Sequence, residues 1–269
     1  MNRMGYVTGV RRTYNQWVAN ETLEDFALRY TARRARKWSS WRVGNTAIGS
    51  ISFLALETIG GAVTLAYGFD NALAAILLAG AILFLTGLPI SYHAARTGVD
   101  IDLLTRGAGF GYLGSTITSL IYAGFTFIFF ALEAAILSQA LEICFGLPIG
   151  FGYLLNALLV IPLVTHGFTR IGAFQMWSQP IWLVLHMIPF LALAWVGTDL
   201  APWAEHIGRF ETSDGLDIVL VASATGIVLS LSAQIGEQVD FLRFLPEPST
   251  RGERRSWWIA LIAAGPGWA

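Results

Sequence analysis

Three places in the 269-residue sequence set ionisable or polar side chains in strongly apolar surroundings. Glu57 lies between Leu56 and Thr58, three residues ahead of the pair Gly60 and Gly61. Glu133 closes an apolar run of Phe, Ile, Ala and Leu that begins at Phe127. Ser230, Ser232, Gln234, Glu237 and Asp240 form a polar series that follows Gly226 and is interrupted by Gly236. A carboxylate at bilayer depth costs about 2.5–3.5 kcal/mol on insertion scales, so each needs a hydrogen-bonding partner or a water-filled cavity. Two kinds of chemistry fit. A carboxylate can bind a cation or an amine-bearing group beside an aromatic face, or it can be neutral and hydrogen-bonded to the next helix. The first is favoured for Glu57 and Glu133, with Ser52 and Gln234 as further polar contributors. For Glu142, near the end of its apolar run, snorkelling to the interface is enough. His166 and His186 have no ligand spacing to another His or to the one cysteine, Cys144, and read as packing or interfacial residues.

Enzyme signatures do not occur: there is no Gly-x-Ser-x-Gly, no His-Glu-x-x-His and no phosphate loop, so an enzyme is not expected. Gly107, Gly109 and Gly111 look superficially like a glycine-rich phosphate turn, but they follow no strand and read as a loop or a packing element.

Long apolar elements must carry these side chains. The sequence is 55% hydrophobic and 13% charged, against about 25% charged in soluble proteins. That excludes a soluble domain and a disordered chain. Seventeen Lys and Arg against eighteen Asp and Glu exclude the basic excess of a nucleic-acid binder. The lipid bilayer is therefore the expected partner. Stretches long enough to span it fall at 43–67, 71–92, 110–144, 149–166, 174–196 and 216–235. The third is longer than a bilayer needs, which predicts a long tilted helix. A seventh apolar segment, 257–269, is too short to span. Residues 1–42 are a basic segment in which 20–30 has the pattern of a short amphipathic surface helix; residues 43–269 form the membrane domain. Numbering the connections alternately with the N-terminus inside puts sixteen of the seventeen Lys and Arg on the cytoplasmic side, Arg209 being the exception.

Two blocks resemble the nucleobase:cation symporter family of purine, cytosine, allantoin and hydantoin permeases. The first runs from Gly98 and Val99 through Arg106 to Phe110, Gly111 and Gly114. The second is Asp240-Phe241-Leu242-Arg243-Phe244-Leu245-Pro246, similar to the family's Asp-Tyr-x-Arg-Tyr-Leu-Pro. The resemblance implies an all-α polytopic membrane protein with a leucine-transporter-like fold, in which two inverted five-helix repeats surround a solute and spans one and six are broken. This sequence would carry the first half: six spans and the start of a seventh. The family's Trp-x-x-x-Gln pattern in span three falls on Phe129 and Glu133. Phe129 keeps a face for stacking on a planar ring, and Glu133 in place of an amide implies a solute richer in donors or positively charged. The unwound part of span one would fall near 52–61 and include Glu57. The resemblance further implies a cytoplasmic N-terminus in the inner membrane, a small-molecule solute, no cofactor, and a sodium ion or proton as coupling ion. The first 170 residues also resemble the permease-like N-terminal regions of some bacterial membrane sensor kinases. That alternative implies a solute-sensing input module with cytoplasmic signalling domains.

Overall fold

The computed structural model describes residues 30, 31, 33, 36, 38–50, 52, 54–165, 167–210 and 215–269, without the side chains of 165 and 167–169. The amphipathic stretch expected at 20–30 lies outside the described residues except for Tyr30, and so does His166. The described residues are 83% helical, with no strand among them. Ser39 accepts from the Arg42 N–H at 3.1 Å and starts α1, Ser40–Gly49. Ser50, Ser52 and Leu54 lie outside helix before α2, Ala55–Tyr67. Gly68, at φ +82°, turns the chain directly into α3, Phe69–Thr97. Then come α4, Ile101–Thr105, a kinked turn, Arg106–Phe110, in which Gly109 takes φ +106°, and α5, Gly111–Phe145, a single helix of 35 residues. α6 is Ile149–Thr165, α7 Gly167–Val196 and the short α8 Ala201–Ala204. The last elements are α9, Ile218–Leu229, a 3-10 turn, Ser230–Ala233, α10, Gln234–Leu242, α11, Arg251–Ala264, and a 3-10 turn, Pro266–Trp268.

Among the described residues, four stretches are long and apolar enough to cross a membrane: Phe69–Thr97, Ile101–Phe145, Arg170–Val196 and Ile218–Leu242. These make the chain a membrane protein. Of the other two expected spans, the described part of the first lies in two helices, α1 and α2, and α6 gives a shorter apolar helix of 17 described residues.

The buried core lies in α1–α3 and α9–α11. Val43 and Ala47 of α1 meet Ala94 and Ala95 of α3, Val239 and Leu242 of α10, and Trp257 and Leu261 of α11. A second cluster joins Val63 of α2, Ala72, Ala75 and Ala79 of α3, and Ala224 and Val228 of α9. Small residues along one face of α3 let helices approach closely where lipid supplies no hydrophobic drive. By contrast α5, α6 and α7 turn large side chains outward: Leu120, Phe127, Leu158, Leu159 and Trp195 are all exposed, as lipid-facing residues are.

Polar side chains pin the ends. Buried Asn71 accepts from the Asp217 N–H at 2.8 Å and donates to the Tyr67 carbonyl at 3.1 Å, tying the start of α9 to α3. Arg36 is buried and caps the end of α3. Its guanidinium donates to the carbonyls of Ala95 (2.9 Å) and Thr31 (3.1 Å). Burial holds its pKa below the ordinary guanidinium value, while a cation at a helix C-terminus meets favourable dipole ends. Gly98, at φ +75°, closes α3, and a Cβ there would collide with the Arg36 guanidinium.

Candidate functional site: a broken helix between two cavities

The break in span one is built from its own hydroxyls and from side chains of three other helices. The Ser50 hydroxyl donates to the Ala47 carbonyl at 2.7 Å, and the Ser52 hydroxyl lies 3.0 Å from both the Ile48 carbonyl and Gln179 Oε1. From α10, Gln238 Nε2 donates to Ser50 Oγ at 3.3 Å. From α7, the Gln175 amide, oriented so that both ends are satisfied, donates to the Thr46 carbonyl at 3.2 Å and accepts from the Ser50 N–H at 3.3 Å. From α5, Glu133 Oε1 accepts from the Ala55 N–H at 2.7 Å. Ala55 is the first residue of α2, so the carboxylate sits where a helix presents unpaired N–H groups and the positive end of its dipole.

This corrects the expected limits of the unwound segment, near 52–61. Among the described residues, 50, 52 and 54 lie outside the helices, and Glu57 lies in the first turn of α2. Gly60 and Gly61 remain helical. Their helix cost, about 1 kcal/mol each in an interior, is offset in part by the bond from Glu133 that holds the helix start at Ala55. Span six tightens to 3-10 at 230–233. Gly236 stays inside α10, where a Cβ would come within 3.1 Å of the Tyr122 ring; it is a seat for that ring.

Two cavities meet at the break. A smaller one, about 360 Å³, is bordered by Phe125, Phe129 and Glu133 of α5, Gln175 of α7, and Gln234, Glu237 and Asp240 of α10. Phe125 and Phe129 stand 4.4 Å apart, ring centre to ring centre, and Gln234 Nε2 donates to Glu237 Oε2 at 2.8 Å. A larger one, about 730 Å³, is bordered by Ser52, Glu57, Glu133, Asn156, Trp182 and His186 among others. Of the expected solute-binding residues, the structure therefore groups Phe129, Glu133 and Gln234 on one cavity and Ser52, Glu57 and Glu133 on the other. Glu133 borders both. Phe129 also packs against the second core cluster, so its ring serves structure as well.

His186, expected to be a packing residue, has Nδ1 3.5 Å from Glu57 Oε1 and stacks on Trp182 at 4.6 Å. Gln175, Gln179, Gln238 and Asn156 were not singled out from sequence. A signal exists for α7: Gln175 and Gln179, then Trp182 and His186, are spaced four apart and so share one helical face.

The motif residues organise the approach to α5. Arg106 pairs with Asp102 at 2.8 Å and donates to Ser115 Oγ at 3.3 Å, fastening the kinked turn onto the first turns of α5. Gly111 takes φ +64°, and a Cβ on Gly114 would lie 2.8 Å from Phe110 Cβ. At the other block, buried Arg243 donates to the Asp240 carbonyl at 3.2 Å, while Phe244 stacks on Trp38 at 4.8 Å. No protein-family model matches the chain, and no curated protein matches it.

Proposed function

We propose that this protein is a cation-coupled secondary transporter for nucleobases or related small nitrogenous heterocycles, built on a leucine-transporter-like plan. This sequence carries one five-helix set and the sixth span of that plan. The observation that carries the reading is the Glu133 carboxylate, which holds the start of a broken helix and borders a cavity on either side. Broken helices with polar side chains at membrane depth are how secondary transporters build solute sites. A planar heterocycle fits against Phe129, with its N–H groups donating to Glu133 and Gln234. The division between a packed group, α1–α3 with α9–α11, and the flanking α5–α7 supplies two bodies that can rock about the break.

Equilibrium binding of labelled cytosine, adenine and uracil to the purified chain tests the reading, with uptake into cells expressing it. Phe129→Ala is expected to weaken binding roughly 5- to 150-fold, the range of base–aromatic stacking. Unchanged binding in Phe129→Ala and Glu133→Ala removes both from the site.

A further inference from the structure

The two cavities belong to a longer series. A third, about 460 Å³, shares Ile171 and Gln175 with the smaller cavity and Trp182 with the larger. Along α5 the series runs from Tyr122 to Ala140, about 27 Å at 1.5 Å per residue, close to the hydrocarbon thickness of about 30 Å. Its charged side chains have one sign. Glu57 and Glu133 border the larger cavity and Glu237 and Asp240 the smaller, and among the described residues no Lys or Arg borders any of the three. The N-terminus of α2, a natural seat for an anion, is already taken by Glu133. Asn156 borders the larger cavity but is 4% exposed, its amide donating to the Ala134 carbonyl and Ser138 Oγ within the wall. The remaining wall is mostly apolar and aromatic: His186, with Nδ1 3.5 Å from Glu57 Oε1, stands between the rings of Trp182 and Phe190.

We infer that the larger cavity is a second solute site, selective for an organic cation with a flat apolar body. Glu57 faces the charge, Trp182 and Phe190 enclose the body through cation–π and apolar contact, and Glu133 separates this site from the smaller cavity. A volume of about 730 Å³ lies in the range of small-molecule pockets, roughly 300–1,000 Å³, and far exceeds a bare ion. The inference rests on the solute-binding reading above and adds the sign of the charge.

Three probes of nearly identical shape separate the possibilities: benzamidinium (cationic), benzamide (neutral) and benzoate (anionic), measured by equilibrium dialysis against the full chain in phosphatidylcholine nanodiscs. Benzamidinium is expected to bind about ten-fold more tightly than benzamide, the effect of one desolvated charge contact, and benzoate not at all. Glu57→Gln should abolish that preference and leave benzamide unchanged, whereas Trp182→Leu should weaken both. Benzamide or benzoate binding as tightly as benzamidinium, a preference that survives Glu57→Gln, or no saturable binding of any probe overturns the inference. Cytosine measured in parallel separates the two readings. Cytosine binding that is lost in Phe129→Ala, without a benzamidinium preference, leaves the heterocycle site standing and removes this one.

Discussion

At the scale of single residues, Glu133 carries the most. Its Oε1 accepts the Ala55 N–H at 2.7 Å, and a backbone N–H left without a partner in apolar surroundings costs about 1–3 kcal/mol. Glu133→Ala should therefore lower stability by about that amount, read as a fall in melting temperature in detergent. Glu133→Gln, which keeps an acceptor oxygen, should fold nearly as the parent does and lose solute affinity instead. The split between the two variants distinguishes a structural acceptor from a binding charge. Sequence made Glu133 and Glu57 visible because a carboxylate among Phe and Leu is conspicuous. It did not reveal Gln175, Gln179, Gln238 or Asn156, since an isolated amide in an apolar span has the same appearance whether it caps a break or faces a neighbour. Glu57 was misplaced for a related reason: the weakness of Gly60 and Gly61 as helix formers is a local property, and the position of the break was decided by a carboxylate 78 residues away in sequence.

At the scale of elements, helix ends govern stability. Gly98→Ala puts a Cβ at φ +75° into the Arg36 guanidinium. The left-handed conformation alone costs roughly 1–2 kcal/mol for a non-glycine residue, and displacing Arg36 uncovers the Ala95 carbonyl, so Gly98→Ala should destabilise by at least about 2 kcal/mol in chemical denaturation. The start of α11 responds to pH. Glu253 accepts from the Ser249 hydroxyl (2.6 Å) and the Ser249 N–H (2.7 Å) and completes a capping box with Thr250. These bonds, the Ser249 hydroxyl first, hold its pKa below the ordinary value. A depressed carboxylate stabilises the fold above its unfolded pKa, about 4.3, and that contribution is lost as pH falls through the lower folded value. Amide exchange at Glu253 and Arg254 should accelerate on acidification in that window in excess of intrinsic exchange, and Glu253→Gln should remove the excess. The long third span was readable from 35 apolar residues in sequence and is one helix of 35. The kink before it was readable as a glycine-rich break, with Gly109 at φ +106° and Gly111 at φ +64°; the side chains that fasten it, Arg106 with Asp102 and Ser115, were not.

At the scale of the whole molecule, charge and packing divide the chain along different lines. The orientation expected from the Lys and Arg pattern predicts that a membrane-impermeant maleimide labels Arg209→Cys from outside intact cells in a Cys144→Ser background. Arg254→Cys should label only after permeabilisation. Labelling of both, or the reverse, overturns the orientation. The core sorts by helix instead: α1–α3 pack with α9–α11, while α7 lies along α1, with Gly172 against Thr46 and Trp38, and α5 lends Phe125 and Phe129 to the second cluster. The helical class was legible from hydropathy because lipid demands long apolar runs. Which helices share a core was not, since lipid-facing and core-facing residues are both apolar and only small residues such as Ala72, Ala75 and Ala79 mark the contact face.

The hydrogen bond between Glu133 and the Ala55 N–H has one more effect on any solute that seeks that carboxylate. The same oxygen acts as clasp and as ligand, so a solute that draws it away exchanges one bond for another and reports only the difference. At about 1–3 kcal/mol for the bond given up, a rival acceptor at Ala55 would raise apparent affinity by roughly 5- to 150-fold. Weak affinity in this protein would then measure how firmly its broken helix is held shut, and a solute that succeeds would release α2 from α5 in the act of binding.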